Sequence, residues 1–207
     1  MSTLRAEHQA LTRTRLLDAG ATLFAKRGFA GTSVAVIAKH AGVTTGAIYS
    51  NFTGKEDLFA AVVERHMARQ AEEYRRLYSA GGSAPERLQS GGDRWMALID
   101  EEPEYFPLFV EVWRVALTDP GIRRRLRSAY RKLIGELATL IGEGSAERWP
   151  EMDDEAIAAF ASLVCALADG MALHRTLDPE RIPAELFGAF LRLVVEGVPS
   201  ARRDTPT

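Results

Sequence analysis

Short hydrogen-bonding side chains stand close together in residues 41–52, AGVTTGAIYSNF, and no acidic residue occurs among them. Hydroxyl and amide groups of this size can meet base edges or phosphate oxygens, and the methyl groups of Thr and Ala can contact a thymine methyl. A face without acids also suits approach to a polyanion. The run therefore indicates a surface that contacts nucleic acid, provided that a helix turns these side chains outward.

The residues around this run have the spacing of two short helices that cross over a tight turn. Such a pair needs a small residue where the backbones approach, a glycine at the turn and an aliphatic side chain that fills the angle. Ala38, Gly42 and Ile48 meet these needs at relative positions 1, 5 and 11. The pattern predicts a helix-turn-helix.

The second helix of such a pair enters the major groove, so its outward face carries the candidate contacts. Ile48 and Phe52 must point inward, and Thr44 is expected to cap this helix. The residues left to contact base edges or phosphates are Thr44, Thr45, Ala47, Ser50 and Asn51, and Gly46 lets the backbone come close. The residues expected to contact the DNA backbone are Tyr49 and Lys55, with Thr32 or Ser33 from the preceding helix.

Helices are also predicted on both sides of this pair. In TRTRLLDAGATLFAKRG, apolar residues recur at helical spacing, and Gly28 can supply the left-handed stop. Gly20 inside this segment costs about 1 kcal/mol relative to Ala, which hints at a close helix contact. A fourth helix opens at Gly54 and Lys55, with Asp57 in its first turn, and runs to about Leu77.

Residues 12–59 together resemble the DNA-binding region of TetR-family transcriptional repressors. The resemblance rests on the aromatic residue after Gly28 and on a series of matching positions. These are Thr32-Ser33-Val34, Ile37-Ala38, Gly42-Val43, Tyr49, Phe52, Lys55 and Leu58-Phe59. It implies an all-helical cytosolic homodimer whose C-terminal domain binds a small effector and moves two DNA-binding heads off an operator. The family often has Lys or Arg in place of Thr45 and His or Tyr in place of Asn51, so the operator sequence cannot be transferred.

Composition bounds the remaining possibilities. The 207 residues are 46% hydrophobic and 26% charged, which describes an ordinary globular chain. The formal net charge is −2, but residues 1–66 hold 8 Lys and Arg against 5 Asp and Glu, and the remaining residues hold 18 against 23. A basic segment on an acidic body is typical of a nucleic-acid module joined to another domain. One cysteine, no apparent signal peptide and no evident spanning helix indicate the cytoplasm.

We therefore expect an all-α fold in two domains. Residues 1–54 form a three-helix helix-turn-helix domain, and residues 55–207 form a larger helical domain for effector binding and dimerisation. Residues 78–93 are rich in Gly and Ser and are interpreted as a loop or linker. The helices expected after it are Trp95 to Asp100, Phe106 to Leu117, Gly121 to Gly142, Asp154 to Arg175 and Pro183 to Gly197.

The last two of these helices carry apolar stripes that could form a dimer face. The candidates are Ile157, Phe160, Ala161, Val164, Ala168, Phe187, Phe190, Leu191 and Val194. Periodicity alone fits burial in the chain's own core equally well. The resemblance favours the dimer face, because TetR-family proteins pair through their last two long helices.

A second group of large side chains could line a pocket for an apolar or aromatic effector. The candidates are Trp95, Phe106, Phe109, Trp113, Tyr130 and Met171, with His174 as an orienting polar group. Helix bundles commonly bind ligands between helices, although most such residues are core residues. Glu111 is another polar group that could orient a ligand.

The sequence shows no cofactor site, no metal site and no catalytic motif. The four histidines are too scattered to form a metal set by local spacing, and no phosphate-binding glycine motif or nucleophile elbow occurs. The favoured interpretation is a ligand-responsive repressor that is not an enzyme and binds a palindromic operator as a homodimer. The alternatives are an effector-independent architectural DNA-binding protein, and a helical ligand-binding or catalytic domain whose helix-turn-helix is incidental.

Overall fold

The computed structural model describes residues 2–79, 81–102, 104–145 and 152–197. This part of the chain consists of α-helices joined by short turns and contains no strand. The all-α prediction is therefore confirmed. The helices are α1 (Ser2–Arg27), α2 (Val34–His40), α3 (Thr45–Tyr49), α4 (Lys55–Ser79), α5 (Ala84–Glu101), α6 (Tyr105–Thr118), α7 (Pro120–Ser145), α8 (Asp154–Leu177) and α9 (Glu185–Gly197).

The turns between the first helices follow from glycines and capping hydroxyls. Gly28 and Gly42 have φ angles of +70° and +68°, a left-handed conformation that ends α1 and α2 at low cost only for glycine. Ser33 caps α2 by accepting a hydrogen bond from the Val36 N–H, and Thr44 caps α3 by accepting one from the Ala47 N–H. The predicted helix-turn-helix is thus formed by local sequence.

By packing, the chain divides into two compact units. The first unit contains Met1–Met67 and Glu102–Ala129, and the second contains Ala68–Glu101 and Tyr130–Thr207. Helices α4 and α7 each contribute residues to both units. The domain boundary expected after residue 54 is a functional division and stays a prediction.

The core of the first unit is built from α1, α2, α3 and the start of α4. Phe24 and Phe59 pack edge to face, with ring centroids 4.9 Å apart, and both are fully buried. The suspected close contact at Gly20 is present: a Cβ there would lie 3.1 Å from Cγ2 of Val62. Helix α6 packs on α1 in the same unit.

In the second unit α5 lies along α9. The prediction of a loop at residues 78–93 is wrong from residue 84 onward, because α5 begins at Ala84. Glu86 caps the start of α5, because the Ser83 N–H and hydroxyl both donate to its carboxylate at 2.8 Å. Gly92 serves helix packing, because a Cβ there would lie 2.8 Å from the Cα of Gly188 on α9. Gly92 therefore allows α5 and α9 to pack closely.

Candidate functional site

Helix α3 presents most of the predicted base-contacting residues to solvent. Ile48 is 0% exposed and anchors the helix in the core of the first unit. The opposite face is open, with Tyr49 61% exposed. Thr44, Thr45, Gly46 and Ser50 are exposed, while Ala47 and Asn51 are half-buried. A duplex can therefore approach this face without any change in the core.

Side-chain hydrogen bonds order the C-terminal end of α3. The Ser50 hydroxyl and the Asn51 amide both donate to the carbonyl oxygen of Ala47, at 3.0 and 2.8 Å. Thr44 uses its oxygen as an acceptor for its cap, at 3.3 Å from the Ala47 nitrogen. Its hydroxyl hydrogen can still be donated to a phosphate oxygen.

The prediction that Thr32 contacts the DNA backbone is wrong. Its side chain is 1% exposed, and its hydroxyl lies 2.8 Å from the Gly28 carbonyl oxygen and 3.2 Å from that of Leu23. The hydroxyl therefore fixes the turn between α1 and α2 and cannot reach a phosphate. Ser33, the other candidate, is exposed.

Lys55 at the start of α4 is half-buried, and its ammonium group already has a protein partner. Nζ donates to the carbonyl oxygen of Phe29 at 2.9 Å and lies 4.2 Å from the centroid of the Phe29 ring. An ammonium group has three donors. A phosphate contact by Lys55 stays a prediction, and it requires the group to share or leave this partner.

Arg13 on α1 is a candidate contact residue that sequence reasoning missed. Its guanidinium donates to the Asn51 carbonyl oxygen at 3.0 Å and lies 4.3 Å from the centroid of the Phe52 ring. It is exposed and lies at the C-terminal end of α3, the helix expected to enter the major groove and called the reading helix below. The positive charge of an arginine beside the expected duplex suits both phosphate attraction and positioning of α3.

Glu111 on α6 anchors the turn that Lys55 also contacts. Its buried carboxylate accepts a hydrogen bond from the Phe29 N–H and pairs with Arg114 at 2.6 Å. The hydrogen bond from Arg114, and then that from Phe29, hold the pKa of Glu111 below its usual value despite burial. Both ends of residue 29 are therefore held, by Glu111 at the amide and by Lys55 at the carbonyl. This role replaces the suggestion that Glu111 orients a ligand.

The predicted effector residues do not form one cluster within a single unit. Phe106, Phe109 and Trp113 belong to the first unit and follow one another on α6, with successive ring centroids 5.8 and 6.3 Å apart. Phe106 is buried, while Trp113 is exposed at the surface of that unit. Their role in effector binding stays a prediction.

The other four effector candidates belong to the second unit. The indole N–H of Trp95 donates to the Ala168 carbonyl oxygen at 3.0 Å inside the unit. The Tyr130 hydroxyl donates to the carboxylate of Asp169. Met171 is half-buried and His174 is exposed. Trp95 and Tyr130 thus meet neighbouring residues of α8.

Five of the nine residues of the predicted dimer face are buried in the chain's own second unit. The prediction is wrong for Ala161, Val164, Ala168, Phe187 and Leu191, which are at most 8% exposed. The periodicity that identified them is the inward stripe of each helix, because a core selects apolar residues as strongly as a partner does. Ile157, Phe160 and Val194 are half-buried and Phe190 is exposed, so these four remain candidates.

Helices α8 and α9 carry a second apolar stripe, which faces outward. It consists of Leu163, Leu167, Leu173 and Leu177 on α8, and Leu186, Phe190 and Leu193 on α9. By length and composition alone α8 could cross a membrane, with a mean hydropathy of 2.0 in a window that is only 28% buried. A Cβ at Gly170, beside this stripe, would meet no atom within 4 Å, so another helix can approach closely there.

Groups that could hold a metal ion are absent from the part of the chain that the structure describes. No three His, Cys, Asp or Glu side chains come together within those residues. The exposed face of α3 and the outward apolar stripe of α8 and α9 are the surfaces that suggest a binding function.

Comparison with known proteins agrees with this arrangement. Residues 16–62 match the model of the bacterial regulatory proteins of the tetR family, and residues 84–198 match that of BetI-type transcriptional repressors, C-terminal region. The chain is 27% identical over 177 residues to the regulator BetI of Vibrio vulnificus, covering 84% of this chain and 85% of that protein. It is 49% identical over 53 residues to the regulator AcrR of Shigella flexneri, covering 26% of this chain and only 25% of AcrR.

A solved structure shares the fold over nearly the whole length. The regulator FadR of Bacillus subtilis, crystallised with stearoyl-CoA, has a TM-score of 0.73 and covers 89% of this chain and 98% of that one. Its sequence identity is 18%, so the likeness concerns the fold. With both segments matched by family models, the chain belongs to the TetR family of bacterial transcriptional regulators.

Proposed function

We propose that the chain is a cytoplasmic repressor that binds a palindromic operator as a homodimer and is released by a small-molecule effector. The observation that carries the proposal is α3: Ile48 is buried while the opposite face, rich in hydroxyl groups, is exposed. This is the arrangement of a helix that enters the major groove. Binding, rather than catalysis, is the activity that this surface supports.

Contacts to DNA are expected to divide into two classes. Thr45, Ala47 and Asn51 are proposed to contact base edges, since Thr45 is exposed on α3 and the half-buried Ala47 and Asn51 lie on or next to the same helix. Tyr49, Ser33 and Lys55 are proposed to contact phosphates, which adds affinity without sequence preference. Arg13 joins this second class because of its place at the end of α3.

Dimerisation is proposed through the outward apolar stripe of α8 and α9. Leu163 on α8 and Leu193 on α9, which belong to this stripe, are 68% and 67% exposed. A large exposed apolar patch on a soluble protein marks an interface. Two copies related by a two-fold axis would place two reading helices about 34 Å apart, or somewhat farther, in successive major grooves.

Release by an effector is proposed to act through α4, which carries residues of both packing units. A ligand that binds the second unit would shift this helix and change the separation of the two reading helices. Both half-sites would then lose their contacts together. The stearoyl-CoA complex of the structural relative FadR supports a small-molecule effector of some kind.

The DNA-binding part is tested with duplexes from the promoter region next to the protein's own gene. Fluorescence anisotropy at 50 to 200 mM salt, conditions that separate specific from electrostatic binding, should show a preferred duplex with about micromolar or tighter affinity. Exchange of Thr45 or Asn51 should change which sequence binds best, whereas Tyr49→Phe should weaken all duplexes alike. Equal binding of all duplexes by the unaltered protein would refute the proposal.

A further inference from the structure

Arg125 on α7 is bonded to two carboxylates of α4 inside the first unit. Its Nε and Nη2 donate to the two carboxylate oxygens of Glu64 at 2.8 and 2.9 Å, and its Nη1 donates to Oδ1 of Asp57 at 2.6 Å. Asp57 and Glu64 lie about two helical turns apart on α4. The planar guanidinium can bridge them because its donors point in fixed, divergent directions, whereas an ammonium group is a single point charge.

Asp57 in turn holds the chain where it leaves α3. Its other carboxylate oxygen, Oδ2, accepts hydrogen bonds from the Thr53 N–H at 2.8 Å and from the Thr53 hydroxyl at 3.3 Å. Burial by itself would raise the pKa of Asp57, but the hydrogen bonds from Thr53 and Arg125 hold it below its usual value. The carboxylate is therefore ionised at neutral pH and connects α7 with the turn between α3 and α4.

The reading helix depends on contacts of this kind because it is short. It has five residues, and a helix of that length is not stable by itself. Ile48 anchors it in the core, and Arg13 donates to the carbonyl oxygen of Asn51 at its C-terminal end. The bonds from Thr53 to Asp57 hold the backbone two residues farther on. A reading helix without this support must be ordered when DNA binds, which lowers affinity.

We infer that Arg125 is a positioning residue for operator binding, which fixes the C-terminal end of α3 through Asp57 and Thr53 without contacting DNA. The inference rests on the proposed DNA-binding function and adds to it a residue 68 positions after Asp57. All three nitrogen atoms of the guanidinium donate to Asp57 or Glu64, so the group is directed toward α4 rather than toward a ligand.

The first test keeps the charge at residue 125 and removes the planar group. Arg125→Lys cannot bridge both carboxylates and should weaken binding to the preferred duplex about fivefold. Arg125→Gln removes the charge as well and should weaken binding about tenfold or more. Arg127→Lys makes the matched exchange at an exposed position of the same helix and should bind like the unaltered protein. Equal affinity of Arg125→Lys and the unaltered protein overturns the inference.

Salt dependence separates a positioning role from a direct contact. Loss of a phosphate contact lowers the slope of log K against log salt concentration by about one, because fewer counterions are released. Arg125→Gln should bind more weakly with the slope unchanged. A lower slope would make Arg125 a phosphate contact and overturn the inference. A lower melting temperature with unchanged affinity would show a role in stability alone and would overturn it too.

A double-mutant cycle tests whether the effect passes through Asp57. Asp57→Asn keeps an acceptor for the Thr53 N–H but removes the charge that Arg125 binds, and it should weaken DNA binding by itself. Because the two side chains act through the same bond, the double variant should lose less affinity than the product of the two single losses. Single losses that simply multiply would overturn the proposed connection.

The unaltered protein separates this inference from the proposed function. Equal binding of all duplexes by that protein refutes the proposed function, and with it any role of Arg125 in operator binding. A preferred duplex that both Arg125 variants bind as tightly as the unaltered protein overturns only the inference. Weaker binding of that duplex by both variants, with Arg127→Lys unaffected, supports the inference and the proposed function together.

Discussion

Replacing Asp169 by Asn should stabilise the protein at neutral pH. Burial raises the pKa of this carboxyl from 3.8 to about 6 in the folded state. The folded protein therefore holds the Asp169 proton more tightly than the unfolded chain does. Folding must bury an anion above pH 6, and the Asn variant avoids that cost.

The size of the effect follows from the two pKa values. Each pKa unit corresponds to about 1.4 kcal/mol, so the ionised carboxyl costs the folded state about 3 kcal/mol. Below about pH 3 the group is protonated in both states and the cost vanishes. It grows as pH rises from about 3 to about 7 and is constant above that range. The variant's gain should have the same pH dependence.

Urea unfolding at pH 4 and pH 8, at one protein concentration and ionic strength, measures this gain. The free energy of unfolding of Asp169→Asn minus that of the unaltered protein should be about 2 kcal/mol larger at pH 8 than at pH 4. Comparing the two pH values cancels any constant loss from a weaker bond to Tyr130. Asp154→Asn, whose carboxyl is exposed, should show no such gain. A difference that does not change with pH would refute a buried, unpaired carboxylate.

Three further substitutions test other parts of the structure. Arg13→Ala should weaken binding to all duplexes and lower the salt dependence by about one counterion, measured by anisotropy, with little change in melting temperature. Glu111→Gln should lower the free energy of unfolding by about 2 kcal/mol near pH 7, because the Phe29 N–H loses a charged acceptor; since the pKa of Glu111 is depressed, the loss should shrink as pH falls below 4.5. Leu193→Asp should yield monomers in sedimentation, whereas Leu117→Asp, at a side chain that is 72% exposed on α6, should not. A dimeric Leu193→Asp would refute the proposed interface.

The helix-turn-helix could be predicted because its determinants are local. A glycine at the turn, capping hydroxyls and the buried Ile48 all lie within about fifteen residues, and each acts through its own backbone or the adjacent helix. The positive φ angles of Gly28 and Gly42 confirm that these glycines end α1 and α2. Local spacing therefore determined this part of the fold.

The burial of single side chains and their contacts with residues distant in sequence were harder to predict, because a local residue pattern does not show which distant residues pack against it. Thr32 was predicted to contact the DNA backbone, but its hydroxyl is directed to carbonyl oxygens inside the turn. The contact from Arg13 to Asn51 spans 38 residues, and that from Glu111 to Phe29 spans 82. No motif in the sequence marks such pairs.

Apolar periodicity was ambiguous where a helix has two apolar faces. On α8 and α9 most of the apolar residues identified from the sequence lie on the inward face. The exposed leucines of the outward stripe were overlooked. The glycines of residues 78–93 suggested a loop, although the spacing of Ser83 and Glu86 already indicated a helix start. Such a capping pair is stronger evidence than glycine content, because the Glu86 carboxylate satisfies the Ser83 backbone N–H.

The substitution Gly46→Glu tests the central claim, that the exposed face of α3 contacts DNA. Gly46 is exposed, and a Cβ there would meet only the Thr44 hydroxyl oxygen, at 3.8 Å, so the variant should fold with an unchanged melting temperature. Gly135→Glu adds the same charge at an exposed position of α7 and serves as the control. Anisotropy titration of the preferred duplex should show binding lost in Gly46→Glu and retained in Gly135→Glu. Undiminished DNA binding by a folded Gly46→Glu protein would contradict the claim.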